Sequence, residues 1–303
     1  MKSRITGAAR ALIGAAALGA ALFPFACAAQ SSAGSPALWR VADADSELYL
    51  FGTFHLLPSR LQWETSAFDS AMRETETTIV EADVSSPEAQ AAMLGLVQRY
   101  GLNPKGVTLS STLGPKRAAE LKRVAANLNV PMATLEPLRP WLALVTLAGV
   151  AMQVEGFDPS HGVETVVLAR AGEEGDALAY FETAEEQVKI LADLDDGEML
   201  ANFDITIEEF DDFKATTERI LEAWRVGDVE TLDAEILAPL RDASPKAFHA
   251  LIVARNENWA KKIADLMSGE GDYFIAVGAG HLIGDDSVID LLTEQGFTVE
   301  RVQ

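Results

Sequence analysis

Thiols are almost missing from this chain. Cys27 is the only cysteine among 303 residues, so no disulfide can form within the chain. A cysteine nucleophile is excluded once the segment carrying Cys27 is removed. Basic charge is also scarce: 24 Lys and Arg stand against 46 Asp and Glu, a formal net charge of −22. Phosphate backbones and anionic membrane surfaces need clustered cations, so neither nucleic acid nor an anionic bilayer is expected as a principal partner. Beyond the N-terminus the chain has no clear membrane span. Leu142 to Met152 is apolar but shorter than the roughly 20 residues a span requires, and it reads as a buried helix. His-Glu-x-x-His, Gly-x-Ser-x-Gly, Walker and Rossmann fingerprints are all lacking, and histidine occurs only four times.

The N-terminus has the three parts of a secretory signal: Lys2, Arg4 and Arg10, then Ala11 to Phe25, then Ala26-Cys27-Ala28-Ala29. Residues 1–29 are therefore expected to be a signal peptide, 30–37 a flexible leader and 38–303 a single domain in a periplasmic or secreted protein. Lipid attachment at Cys27 is the alternative, although Pro24-Phe25-Ala26-Cys27 is a poor lipoprotein box. Removing the signal takes away basic residues only, so the mature surface becomes more acidic still. Its acidic pairs, among them Asp195-Asp196 and Glu208-Glu209, read as solvated helix faces and turns.

Two of the four histidines share one frame, Gly52-Thr53-Phe54-His55 and Gly278-Ala279-Gly280-His281. With Gly at about 7% of ordinary sequence, that coincidence is expected in only about 3% of chains. Each frame follows a short aromatic and aliphatic run, Glu47 to Phe51 or Tyr273 to Val277, that reads as a strand. The carboxyl ends of strands in helix-covered sheets open onto ligand crevices, and Gly there permits a sharp turn or a close approach. Two imidazoles delivered to one crevice can bind a metal or transfer protons.

A pass along the chain predicts an α/β fold whose mixed central sheet is built from both chain ends around a large helical middle. Leu38 to Ala42 and Glu47 to Gly52 form a hairpin, and Thr77 to Ala82 a further strand. Helices are expected over Glu64–Glu74, from Ser85 onward, and over 114–128, 137–152 and 161–171. A short strand covers Ala177 to Phe181, and amphipathic helical segments fill Ala184 to Met267, with breaks near Asp195-Asp196-Gly197, Arg225 to Asp228 and Asp242 to Pro245. The C-terminus reads as β-α-β, with Tyr273 to Val277, a helix near Asp286 to Gln295, and Phe297 to Arg301.

Glu81 ends a predicted strand, with Asp83 on its face. A carboxylate there needs a metal, a protonated histidine or solvent. Arg255, early in a long helix, can hold a carboxylate or a developing oxyanion, or form a surface ion pair. Arg139 is expected to be structural. His161 and His249 lack the repeated context and are placed outside the site.

These blocks in order resemble the TraB/GumN family, related to the Tiki metalloproteases. The resemblance is carried by Leu38-Trp39-Arg40, Phe51 to His55, Val80-Glu81-Ala82-Asp83, Leu138 to Trp141, Phe181 to Gln187, Arg255 to Ala260 and Val277 to Gly284. It implies an α/β fold related to the erythromycin esterase and ChaN groups. It implies a site of His55, Glu81 and His281, supported by Arg255 and flanked by Gly52, Gly278, Glu182 and Asn256. Gly162-Val163-Glu164 departs from the expected Gly-hydrophobic-Asp, so any contact there is uncertain in reach. The leading expectation is an exported metal-dependent hydrolase of peptides. Its ion, Mn or Co by resemblance and Zn by donor type, would be held by His55, His281 and Glu81, with Arg255 on the oxyanion. The rivals are a metal-free His/Glu hydrolase of the esterase type and a non-catalytic binder of a peptide, haem or metal.

Overall fold

The structure is a computed structural model that describes residues 34–194, 199–200, 203, 206–207 and 209–303. The expected signal peptide, Cys27, residues 30–33 of the leader, the Asp195-Asp196-Gly197 break and Glu208 lie outside the described residues.

Eight strands are present: β1 Leu38–Ala42, β2 Ser46–Thr53, β3 Leu57–Pro58, β4 Thr77–Val80, β5 Phe157–Asp158, β6 Ala177–Tyr180, β7 Gly271–Gly278 and β8 Val299–Arg301. Six of them form one sheet in the order β6-β4-β7-β2-β1-β8. The neighbours β6, β4, β7 and β2 run parallel, while β1 is antiparallel to both β2 and β8. Strand β2 of the N-terminal hairpin thus pairs with β7 from the other end of the chain, Thr53 opposite Gly278. The mixed sheet built from both chain ends is present as expected. A two-residue ribbon, β3 with β5, was not expected, being too short to leave a periodic signal.

Both faces of the central strands are buried, as parallel sheets require. Tyr49, Phe51, Val80, Phe274 and Ala276 join one apolar cluster with the helices Ser66–Glu74, Val163–Glu174 and Phe213–Arg225. The alternate residues Leu48, Leu50, Ile79, Ile275 and Val277 join a second cluster with Ala254–Met267 and Val288–Glu294. Period-two alternation therefore divides each strand between two helical layers.

A third cluster fills the helical middle around Pro140–Val154, which buries residues on every side. The start of Leu109–Asn127 differs from the expected 114. Thr108 and Ser111 cap one another and begin the helix earlier, and Gly114 then kinks it at φ 73° before Pro115. Elsewhere local signals read well: Ser86 caps Pro87–Leu96, and Thr183 and Glu186 form a capping box for Ala184–Ala192.

Candidate functional site

Four parallel strands end side by side, and each delivers a polar residue just beyond its last ladder position. β2 leads to His55, β4 to Glu81, β6 to Glu182 and β7 to His281. Gly278 is required by close approach rather than by unusual torsion: a Cβ there would lie 3.1 Å from Glu81 Oε1. Its N–H donates to that same oxygen at 2.8 Å. Gly52 lies as tightly against Ala279 of the neighbouring frame. The repeated glycines thus let two strand ends and a carboxylate share one small space.

Arg255 stands at the centre, early in Ala254–Met267, which follows directly on a wider π-helical turn at His249–Val253. Its Nε donates to Glu182 Oε1 at 2.9 Å, and its Nη2 donates to Glu81 Oε2 at 2.6 Å and Glu182 Oε2 at 2.8 Å. Nη1 reaches the Leu251 carbonyl at 3.3 Å and His281 Nε2 at 2.9 Å. A guanidinium has five N–H donors, and here all five are committed. Glu81 Oε2 also accepts from Gln187 Nε2 at 2.9 Å. Burial disfavours the charged carboxylate of Glu81, but Arg255, with the two histidines and the Gly278 N–H behind it, holds Glu81 far below the usual carboxylate range. Burial likewise disfavours the guanidinium charge, and the two carboxylates outweigh it and raise the Arg255 pKa.

His281 is fixed by the same group. Its Nδ1 lies 2.6 Å from Asn256 Oδ1, and the Asn256 amide donates to the Asp286 carbonyl at 2.7 Å. That second bond orients the Asn256 oxygen toward the ring, so Nδ1 carries the proton and Nε2 accepts from Arg255. Burial first, and Arg255 next, push the His281 pKa down to about 3. Trp259 packs on the ring with centroids 4.4 Å apart and donates its Nε1–H to Glu182 Oε1 at 3.1 Å.

His55 is in the opposite state. Gly162 allows the chain to press against the His55 carbonyl, where a Cβ would fall 2.1 Å from the oxygen. The Val163 N–H donates to the Phe54 carbonyl at 3.0 Å. These contacts seat Glu164, in the first turn of Val163–Glu174, with Oε1 2.7 Å from His55 Nδ1; Thr53 Oγ1 donates to the same oxygen. Burial works against a charged ring, but the charge and hydrogen bond of Glu164, helped by Glu81, raise the His55 pKa to about 9. The second oxygen, Glu164 Oε2, is buried without a hydrogen-bond partner. The His55 side chain keeps 25% of its surface exposed, and its Nε2 makes no hydrogen bond among the described residues.

Two cavities meet at His55, Glu81, Leu251 and Arg255. The smaller, about 130 Å³, runs along Gly278 to His281 toward Leu237 and Ile252. The larger, about 310 Å³, opens between Pro87–Leu96 and Ala184–Ala192.

The structure brings together every residue expected at the site, and the contacts it gives them bear on two of the expected roles. Among the described residues no three His, Cys, Asp or Glu side chains are grouped to hold an ion. His55, His281 and Glu81 therefore do not form the expected ligand set. The reason is competition: both ring nitrogens of His281 and both oxygens of Glu81 already have partners, and the cation beside them is Arg255. All five Arg255 N–H groups have partners in this arrangement, so an oxyanion role would require one of them to be released. Glu182 and Asn256 gain definite partners. His161 and His249 are exposed and line neither cavity, and Arg139 donates to the Tyr100 and Ala192 carbonyls, a structural role. Asp83 caps the next helix through Ser86. The reasoning from sequence missed Glu164 as the partner of His55 and Gln187 as a partner of Glu81. The Gly162-Val163-Glu164 block was the signal for the first.

Strand-end histidines and buried carboxylates around one arginine, on a mostly parallel sheet, define an α/β protein with a cluster of ionisable side chains at the carboxyl edge of its sheet. The chain belongs to the TraB/PrgY/gumN family, whose profile matches residues 37–301. Escherichia coli YbaP is 22% identical over 264 residues, covering 85% of this chain and 92% of YbaP. A protein named metalloprotease TIKI1 from Danio rerio is 24% identical over 319 residues, 87% of this chain and 62% of that relative. A Nematostella vectensis metalloprotease TIKI homolog is 40% identical over 55 residues, 18% of this chain and 12% of its own length. No solved structure matches.

Proposed function

We propose that this protein is a hydrolase acting on peptide bonds in the cell envelope or outside the cell, with His55 as the proton-transfer group and Glu164 as its orienting carboxylate. One observation carries the reading. His55 is the member of the cluster with an uncommitted ring nitrogen, backed by a carboxylate at 2.7 Å and bordering both cavities. The names of the TIKI relatives support a hydrolase of peptides.

In this reading neutral His55 takes a proton from water at Nε2 while the water oxygen attacks the substrate carbonyl carbon. The tetrahedral intermediate then collapses, the C–N bond breaks, and the departing amine nitrogen takes the proton from Nε2. Glu164 stabilises the imidazolium between the two steps. Glu81, Arg255 and Glu182, with neutral His281 among them, are a fixed wall beside the reacting atoms.

Since the His55 pKa is raised to about 9, the base form grows as pH increases, and kcat/KM is expected to climb up to about pH 9. The donor set does not fit a resident ion while Arg255 holds Glu81 and His281, so no step is routed through Mn, Co or Zn. The relatives' names favour the metal-dependent reading, and it requires that arginine to let go. An unbiased peptide-cleavage screen with and without exhaustive chelation, paired with metal analysis, decides between them. Cleavage that survives chelation and is lost in His55→Ala supports the proposal. Cleavage that needs a stoichiometric ion overturns the metal-free step, and tight peptide binding without any cleavage favours a binding protein.

A further inference from the structure

Pro87–Leu96 is an apolar helix that buries none of its residues, and Leu94 on it is 70% exposed. Large exposed apolar surface of this kind marks binding sites. The residues it turns toward the larger cavity are Gln90, Met93 and Leu94, with Val97 just after its end, an i, i+3, i+4, i+7 stripe. Ala184–Ala192 presents the same pattern from the other side, with Ala184, Gln187, Val188 and Leu191. The two stripes face a shared cavity of about 310 Å³. That volume is at the lower end for ligand pockets.

The inner end of this cavity is the reactive cluster: His55, Glu81, Glu164 and Arg255 line it together with the two stripes. Its floor is apolar, with Trp141 and Val145 from the buried helix Pro140–Val154. A group seated between the helices thus lies directly beside the atom that His55 can reach. Two amide side chains interrupt the apolar lining. Gln187 Nε2 is bound to Glu81 and Gln90 Nε2 to the Ser85 carbonyl. Their side-chain oxygens make no hydrogen bond among the described residues. They can accept from peptide N–H groups, and beside a hydrocarbon chain they would go unpaired.

We infer that the cleft between Pro87–Leu96 and Ala184–Ala192 is a specificity pocket for a large aliphatic or aromatic side chain of a peptide, adjacent to the bond that is cut. The inference rests on the proposed hydrolase reading, because it takes the cluster at the inner end as the reacting centre. The acidic surface of the molecule does not choose this side chain. The apolar lining does.

The test uses the wild-type chain, Leu94→Asp and Leu191→Asn, positions that are not fully buried, so the fold is expected to persist. A mixed peptide library is digested and the cut sites are read by mass spectrometry. Wild type is expected to favour Leu, Ile, Met or Phe beside the cut by at least about tenfold in kcat/KM over Gly or Ser. Leu94→Asp is expected to erase that preference and raise cleavage beside Lys or Arg. Cutting without regard to the flanking residue, or an unaltered preference in both variants, overturns the inference. Binding of N-acetylphenylalaninamide and N-acetylglycinamide, followed by NMR titration, separates the two readings. If no peptide is cut but the phenylalanine amide still binds at least about tenfold tighter, and Leu94→Asp abolishes the difference, the pocket stands and the hydrolase reading falls. Equal binding overturns the pocket, as does a long-chain fatty acid binding where neither amide does.

Discussion

His55 and His281 occupy the same sequence frame at the ends of neighbouring parallel strands, yet they are in opposite physical states. His281 is sealed: Asn256 fixes its tautomer, Arg255 takes its lone pair, Trp259 covers its ring, and its pKa is pushed down to about 3. His55 is partly exposed, paired with one carboxylate, free at Nε2 and raised to about 9. The repeat places two imidazoles at one edge, and the neighbours decide what each can do. A ring whose two nitrogens are both committed positions other groups, whereas a ring with one free nitrogen can move a proton.

The largest expected effect comes from removing the cation that holds the sealed side together. Arg255→Met leaves Glu81 and Glu182 buried without their common partner. It is expected to lower unfolding free energy by about 3–5 kcal/mol and to abolish cleavage, as denaturant melts and a peptide assay would show. A variant as stable as wild type would mean that the wall is not held by charge.

His55→Ala should act on rate rather than on fold. A loss of about 10²–10⁴ in kcat is expected, with stability within about 1 kcal/mol of wild type above about pH 9, where the charged His55–Glu164 pair no longer contributes. His281→Ala should reverse that emphasis. It strands the Asn256 oxygen and an Arg255 N–H, each at about 1–3 kcal/mol, so it should lower the melting temperature more than His55→Ala does. Matching melting curves for the two variants would erase the contrast.

Glu164→Gln tests the open side more gently. Removing the carboxylate takes away the main force raising the His55 pKa, so the alkaline rise in kcat/KM should shift to lower pH. A profile that stays in place assigns the titration to another group.

pH-dependent stability offers the finest comparison. The His55 pair is fully stabilising below the unfolded value of about 6.5 and is lost as pH rises through about 9. His281 works in the other direction. The unfolded chain takes up a proton below about 6.5 while the folded ring stays neutral, so stability falls as pH drops from there toward about 3. Replacing either ring should flatten its own limb and leave the other alone.

Much of the architecture was legible in the sequence, and the reasons are local. Short aromatic and aliphatic runs, Glu47 to Phe51 and Tyr273 to Val277, each followed by a Gly, are enough to place two strand ends and their histidines. Residues such as Ser86 and Thr183 mark helix starts through capping chemistry that is complete within four positions. The state of the site was not legible, because it depends on how many partners each group meets across the fold. In sequence Arg255 reads as a carboxylate or oxyanion holder or a surface ion pair, and only the packed cluster shows all five of its donors committed. Glu164 lies 109 positions from His55, and only the contact at Gly162 brings them together. The expected ligand set is not grouped among the described residues for that reason: sequence names donors but does not say which lone pairs are already taken.

The most direct measurement of the central contrast is an NMR titration of the imidazole carbons in the wild-type protein, assigned through His55→Ala and His281→Ala. The account predicts that the His55 ring titrates near pH 9 and that the His281 ring stays neutral, with its proton on Nδ1, down to about pH 3. Two rings titrating together near the ordinary value of about 6.5 would contradict it.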